Sequence, residues 1–118
     1  MINMMLFRSF LVLFWLAVLI ISIHAFRSDG LIAGEVFIGD IMNGLWRSQF
    51  NTDFLAHLLL LGLWASWRQN FSPASWFIGS LCVLGGGLFS LAYLLLLSIT
   101  HQGNITKILL GKRHHLAN

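Results

Sequence analysis

Residues 6–26 read LFRSFLVLFWLAVLIISIHAF, an apolar run that only Arg8, Ser9, Ser22 and His24 interrupt. About 18 or more apolar residues in a row predict a helix that spans a bilayer. A secretory signal peptide is the alternative, but the run is long for one and residues 23–26 lack a small-x-small cleavage pattern. The run therefore predicts a retained transmembrane helix.

Two further apolar blocks follow, at 53–71 and 73–100. The first of them is short for a span, and its far end carries the interfacial anchors Trp64, Trp67 and Arg68. With residues 6–26, the blocks predict an all-α membrane protein, one domain over residues 1–118 with three transmembrane helices.

Ser72 and Pro73 mark the boundary between these two blocks. A serine hydroxyl caps a helix amino terminus, and proline is favoured at the first helical position because its missing N–H has no partner there. The pair predicts that the third helix begins at Pro73.

Composition supports lipid rather than water as the solvent. The chain is 58% apolar and 9% charged, whereas soluble domains are about 25% charged. The formal charge of +3 lies beside the apolar blocks, which indicates membrane-flanking charge and not a nucleic-acid surface. The single cysteine, Cys82, excludes an internal disulfide.

The segment 36–47 carries an apolar stripe at helical spacing. The stripe consists of Ile38, Ile41, Met42, Leu45 and Trp46. It predicts a short amphipathic helix in the membrane interface, between the first and second spans, with Trp46 as its anchor. A loop folded over the helix ends is the alternative.

Lysine and arginine positions give the orientation. Three spans place the amino terminus and Arg68 on one side, and the 36–47 segment and the basic tail, 104–118, on the other. The tail side then holds more basic residues, namely Arg27, Arg47, Lys107, Lys112 and Arg113. The positive-inside rule predicts a multi-pass protein of the cell membrane, such as a bacterial inner membrane, with a cytoplasmic carboxyl tail.

Polar residues of the second span share one face. Asp53, His57, Trp64 and Arg68 fall within an arc of about 60° at 100° per residue, which predicts that this face points at the other helices. Three continuous spans would also bring five polar side chains together at one end of the bundle. These are His24, Asp53, His57, Tyr93 and His101.

This cluster has functional and structural interpretations. Imidazole and carboxylate groups suit a metal, haem or quinone site or a proton relay. Alternatively, Asp53 is a helix cap, His24 and His101 are interfacial residues, and His57 hydrogen-bonds a neighbouring helix.

Small residues line one face of the third block, where they allow close helix packing. This packing face consists of Gly79, Cys82, Gly86 and Ser90. Residues 85–87 are all glycine, without the Lys-Ser/Thr that would follow in a phosphate-binding loop. They predict a kink or a tight contact instead.

Residues 45–113 resemble small bacterial three-pass integral membrane proteins of unknown function. The resemblance is carried by Trp46, Asp53, Trp64, Arg68, Gly86, Tyr93 and the sequence LGKR at 110–113. It implies the three-span topology and supplies no activity. Many members have an acidic residue directly after the position of Arg68, where this chain has Gln69. The small anchor subunits of succinate dehydrogenase are similar in length and span number, but this chain lacks their histidine-rich pattern.

Since no catalytic motif is present, the leading hypothesis is a non-enzymatic accessory or structural membrane protein without a cofactor. It would act by helix packing in the lipid bilayer, as a homo-oligomer or in a larger membrane complex. The alternative is a quinone, haem, metal or proton-pathway site at His24, Asp53, His57 and His101. An enzyme acting on lipid or isoprenoid substrates is a third hypothesis, with no motif to support it.

Overall fold

The computed structural model describes residues 4–117, and 87% of it is helical with no strand in that range. Residues 1–3 and 118, which the predicted domain and tail include, lie outside the described residues. The described helices are α1 (Met4–Asp29), α2 (Ala33–Asn43), α3 (Trp46–Trp67), α4 (Pro73–Gly85), α5 (Gly87–Thr100) and α6 (Ile105–Leu110), followed by a 3₁₀ helix, Gly111–Ala117.

The all-helical prediction is confirmed, whereas three transmembrane helices are not. Judged by length and mean hydropathy, α1 alone among the described helices is long and apolar enough to cross a membrane. Only 6% of its most apolar window is buried, so it is not the core helix of a globular fold. Its place near the amino terminus is also that of a signal sequence.

Small residues hold α3 and α4 together as an antiparallel pair. A Cβ atom added at Gly62 would lie 2.8 Å from the carbonyl oxygen of Gly79, so the two backbones touch there. One helical turn away, the Ser66 hydroxyl donates to the carbonyl of Ser75 at 3.1 Å. Ala65 of α3 and Cys82 of α4 are also fully buried. Close approach of this kind requires residues with little or no side chain.

Gly86 separates α4 from α5 and reverses the chain. Its backbone has φ 55° and ψ −141°, a conformation open essentially to glycine alone. Its carbonyl accepts from the amide groups of Phe89 and Ser90, at 3.2 and 2.9 Å, so α5 begins with a hydrogen-bonded turn. The third apolar block is therefore a helical hairpin and not one continuous helix.

The returning helix, α5, packs antiparallel on α1. The Trp15 indole donates to the carbonyl of Leu88 at 2.8 Å, and the Arg8 guanidinium donates to the carbonyl of Ser98 at 2.7 Å. From the first contact to the second, the residue number falls by seven on α1 and rises by ten on α5, so the two helices run in opposite directions. The start of α1 therefore lies beside the end of α5.

This arrangement corrects the topology that three continuous spans predicted. The start of α1, the turn after α3 and the described part of the carboxyl tail lie together at one end of the molecule, which we call the Arg68 end. The last residues of α1, all of α2 and the start of α3 form the opposite end, the Asp29 end. The sequence predicted the carboxyl tail at the Asp29 end, but the reversal at Gly86 places it at the Arg68 end.

The segment 36–47 also differs from its prediction. Its helix, α2, ends at Asn43, where the Gly44 amide closes the last turn on the carbonyl of Asp40 at 3.0 Å. Trp46 is consequently the first residue of α3 and does not anchor the short helix. α2 folds back on α3, with the rings of Phe37 and Phe54 at 6.2 Å.

The predicted packing face is divided between the two helices of the hairpin. Gly79 and Cys82 are buried against α3, Gly86 forms the reversal, and Ser90 is buried on α5. The start of α4 follows its sequence signal, since the Ser72 hydroxyl accepts from the Ser75 amide at 3.3 Å and Pro73 is the first helical residue.

We expect Gly79→Ala to lower the free energy of unfolding by about 1–3 kcal/mol, because the new methyl group forces α3 and α4 apart. The matched control is Gly39→Ala in α2, where an added Cβ meets nothing within 4 Å. There alanine should stabilise the helix by about 0.5–1 kcal/mol. Chemical unfolding of both variants in detergent micelles, followed by circular dichroism, measures the difference. If Gly79→Ala left the free energy of unfolding unchanged or raised it, the close packing of α3 and α4 would be contradicted.

Candidate functional site

The five residues of the predicted polar cluster do not meet. His24 is exposed on α1, and Asp53 and His57 are exposed on α3. Tyr93 and His101 lie instead at the Arg68 end, because the hairpin carries α5 back there. The prediction of a single site at one end of the bundle is therefore wrong, and its error follows from the missed reversal.

The face of α3 that carries Asp53, His57, Trp64 and Arg68 was predicted to point at the other helices. The structure turns the opposite face inward, where Gly62, Ala65 and Ser66 are buried. Small residues decide the orientation, because they allow backbone contact with α4 while the polar side chains do not. The polar face is consequently outermost along α3.

At the Arg68 end, this outward face is covered by the carboxyl tail. The Arg68 side chain is one of the most deeply buried in the molecule, with the residue 2% exposed. Its Nε donates to the carbonyl of Ile108 at 2.8 Å, its Nη2 to that of Lys107 at 2.9 Å, and its Nη1 to the Tyr93 hydroxyl at 3.2 Å. Two helices, α5 and α6, thus converge on one guanidinium group.

These contacts satisfy the carboxyl end of α6. The last carbonyls of any α-helix lack an intrahelical donor and carry partial negative charge, which a cation stabilises. Arg68 binds the free carbonyl of Ile108, and the Trp64 indole donates to that of Leu109 at 3.0 Å. The Lys107 carbonyl accepts from the Gly111 amide as well as from Arg68. Arginine suits this position because its planar fork presents several N–H groups at fixed angles.

The tail in turn caps the carboxyl end of α3. The Lys112 amide donates to the backbone carbonyl of Arg68 at 2.8 Å and to the Gln69 side-chain oxygen at 3.2 Å. The Arg113 Nε donates to the carbonyl of Trp67 at 2.6 Å, and its guanidinium lies 4.8 Å from the centre of the Trp67 ring. Two helix ends therefore cap each other through Arg68 and the segment that follows α6.

Gly111 makes this approach possible. It has φ 55°, and a Cβ atom there would lie 2.5 Å from the carbonyl oxygen of Arg68 and 2.6 Å from the Gln69 side-chain oxygen. We call this set of contacts the Arg68 clasp; it comprises Trp64, Trp67, Arg68, Gln69, Tyr93 and the segment 107–113. The residues quoted for the family resemblance between 64 and 113, other than Gly86, belong to it.

The clasp contains a buried cation without a carboxylate partner among the described residues. The four acidic residues of the chain are Asp29, Glu35, Asp40 and Asp53, all on segments of the opposite end or the first turns of α3. Carbonyl dipoles and the Tyr93 hydroxyl therefore stabilise the charge. Burial lowers the pKa of the neighbouring His101, and the positive charges of Arg68, Lys107 and His114 lower it further, so His101 adds no second charge at neutral pH.

The predicted interfacial tryptophans have different surroundings. Trp46 is largely exposed and stacks on Phe50, with ring centres 5.8 Å apart. Trp64 lies edge-on to Tyr93 at 6.3 Å, and it binds the tail together with Trp67 as described above. Two of the three tryptophans thus hold the chain's own carboxyl tail.

Sequence reasoning missed the clasp, although two signals marked it. Asn104 begins α6 by accepting from the Lys107 amide at 3.1 Å, and Gly111 ends it. An asparagine cap and a glycine seven residues later predict a short helix. Nothing in that pattern specifies which part of the molecule it packs against.

The described residues contain no group of three or more His, Cys, Asp or Glu side chains that could hold a metal ion. No protein-family model matches the chain, and neither do curated proteins or solved structures at a significant level. Most hydrogen bonds of the clasp run from side-chain or amide donors to backbone carbonyls.

We expect Arg68→Ala to release the tail, since it leaves the carbonyl of the buried Ile108 without its hydrogen-bond donor, at a cost of about 1–3 kcal/mol. The Lys107 carbonyl loses one of its two donors and keeps the Gly111 amide. Trypsin should then cleave after Lys107 and Lys112 faster than in the original protein. Arg68→Lys should give a similar result, because one ammonium group does not reproduce the fork. The control is Arg47→Ala, whose side chain is 70% exposed beside Asp40. An unchanged cleavage rate in Arg68→Ala would show that the clasp does not hold the tail.

Proposed function

We propose that the chain is a non-enzymatic integral membrane protein, an accessory or structural component that acts through helix packing with itself or a partner. The observation that carries this proposal is the imbalance between core and surface. Buried hydrophobic residues among those described are Leu11, Ala65, Cys82, Leu97 and Ile108. Most large apolar side chains are exposed, whereas water-soluble monomers rarely expose apolar patches above a few hundred Å².

Helix lengths suggest how the chain sits in lipid. At 1.5 Å per residue, α1 is about 39 Å long and α3 about 33 Å, enough to cross a hydrocarbon core of about 30 Å. α4 and α5 are each about 20 Å long, so the hairpin enters from one side and returns to it. The proposed topology is two spans with a re-entrant hairpin, in place of three spans.

Such a hairpin is physically acceptable in a bilayer only if its turn is protected by protein. The Gly86 carbonyl is hydrogen-bonded within α5. Gly86 lies 3.9 Å from Phe54 of α3, measured from an added Cβ atom, and Gly87 lies 3.6 Å from Val18 of α1. The proposed spans thus flank the turn on two sides.

Charge segregation suggests the orientation. Five of the seven lysine and arginine residues lie at the Arg68 end, and Arg27 and Arg47 lie at the end that holds Asp29. The positive-inside rule therefore favours a cytoplasmic Arg68 end. The carboxyl tail stays cytoplasmic, as the sequence predicts, but the amino terminus joins it there.

Single cysteines introduced into a Cys82→Ala chain test this topology. Ala74→Cys at the start of α4 and Thr106→Cys in α6 should both react with an impermeant maleimide only from the cytoplasmic side. Ser28→Cys, near the end of α1, should react only from the other side. Labelling of Ala74→Cys and Thr106→Cys from opposite sides would restore the continuous third span.

The functional proposal itself is tested by isolation from membranes. After crosslinking in intact cells, the detergent-solubilised chain should migrate in a complex larger than a monomer, containing a second copy or a copurifying membrane protein. A matched sample without crosslinker reports how stable that complex is in detergent. Recovery of a lone monomer from both samples would contradict an accessory or structural role.

A further inference from the structure

Asp53 and His57 form an ionisable pair on the outward face of α3. The two side chains are 59% and 71% exposed, and the His57 Nδ1 lies 3.5 Å from a carboxylate oxygen of Asp53. The same nitrogen lies 2.8 Å from the backbone carbonyl of Asp53. Nine residues of α-helix turn about 900°, so Asp53 lies opposite Gly62, whose face packs on α4. The chain's own helices therefore leave this pair uncovered.

The two ends of this polar face have different coverings. At the Arg68 end, the tail and Tyr93 enclose the charged side chain completely. Toward the Asp29 end, no described element covers Asp53 and His57. His57 lies ten residues before Trp67, about 15 Å along α3, so in the proposed topology it is near the middle of the bilayer. Ionisable groups at that depth are costly against lipid and normally face protein or water.

We infer that a second copy of this chain covers this face, in a two-fold dimer along α3. This inference rests on the proposed membrane function and names the partner. Asp53 and His57 are four residues, about 6 Å, apart along the helix axis. In a parallel pair of α3 helices, the carboxylate of each copy can therefore reach the imidazole of the other. A two-fold axis along the helices places like residues of the two copies at the same level, so the opposite-charge contacts run diagonally, from Asp53 of one copy to His57 of the other.

The surroundings of the pair fit a close helix contact. Ala56, between the two residues, is small and exposed, which allows the helices to approach. A shallow groove of about 510 Å³ beside it is lined by Leu45, Ser48, Gln49, Thr52, Asp53 and Ala56. Hydroxyl and amide groups in this groove offer further hydrogen bonds between helices. A partner of a different kind would have to supply both an acid and a base at the same spacing.

Disulfide formation between introduced cysteines tests the dimer in native membranes. In a Cys82→Ala chain, Ala56→Cys should form a crosslinked dimer rapidly on mild oxidation. The matched control is Leu84→Cys: Gly62 lies opposite Gly79, so residue 84 lies at the level of residue 57 on the other side of the molecule. Leu84 is 85% exposed, and its cysteine should crosslink slowly.

Charge substitutions then test the pairing itself. Asp53→Asn and His57→Ala should each reduce the crosslinked fraction of Ala56→Cys by about tenfold, the scale of a coupled interfacial charge pair. Exchanging the two residues, Asp53→His with His57→Asp, should restore it, whereas Asp53→His alone should not. Asp29→Asn, an exposed acid away from this face, is the control. Impermeant labelling of Ser28→Cys in each background verifies that the topology is retained.

The outcomes separate this inference from the functional proposal. If Ala56→Cys crosslinks to a different membrane protein, the inference of a second copy on this face is wrong and the accessory role stands. The same holds if Ala56→Cys crosslinks to nothing while a heteromeric complex is still recovered. If Leu84→Cys crosslinks as fast as Ala56→Cys, the dimer is also wrong. Recovery of a lone monomer overturns both.

Discussion

The backbone of Gly86 determines where the two halves of the third apolar block lie. Its positive φ ends α4 and turns the chain back, so the carboxyl tail returns to the end of the molecule where α3 finishes. Without that reversal, α6 would lie a full helix length away from Arg68. Three features follow from this reversal: the clasp, the pairing of α5 with α1 and the separation of His101 from Asp53. All three depend on Gly86, whose backbone conformation would be strained in a residue with a side chain.

One face of α3 carries two kinds of charge, and the chain treats them differently. The cation Arg68 is enclosed, because the free carbonyls at the end of α6 supply the negative partial charges that a buried guanidinium requires. The same tail cannot serve Asp53, which needs N–H donors or a cation, and the described residues offer it only the adjacent His57. Because all acidic side chains of the chain lie between residues 29 and 53, none lies among the described residues of the Arg68 end, and backbone groups take that role.

Sequence reasoning predicts the helices better than their arrangement. The apolar runs locate the helical segments, and Ser72 with Pro73 places the start of α4 correctly. Three consecutive glycines at 85–87 were expected to give a kink or a close contact, and a full reversal differs from a kink only in backbone angles that composition does not encode. The face of α3 with Asp53 and Arg68 was predicted to point inward, because charged groups are costly in lipid. In the structure, the backbone contact through Gly62 and Ser66 determines which face of α3 points inward. The cost of an ionisable group in lipid shows that it needs a partner, but it does not show that the partner lies in the same chain.

Short helices with little apolar burial need other means of association, and the buried serines provide one. Ser66, Ser75, Ser90 and Ser98 are buried at the helix contacts. The Ser66 hydroxyl is within reach of the carbonyls of Gly62 and Ser75 at 3.0 and 3.1 Å, and the Ser98 hydroxyl accepts from Arg8 at 3.1 Å. In water such bonds compete with solvent, whereas in lipid an unpaired hydroxyl has no alternative partner. The proposed bilayer location would therefore strengthen the hydrogen bonds that hold the hairpin between α3 and α1, where few hydrophobic residues are buried.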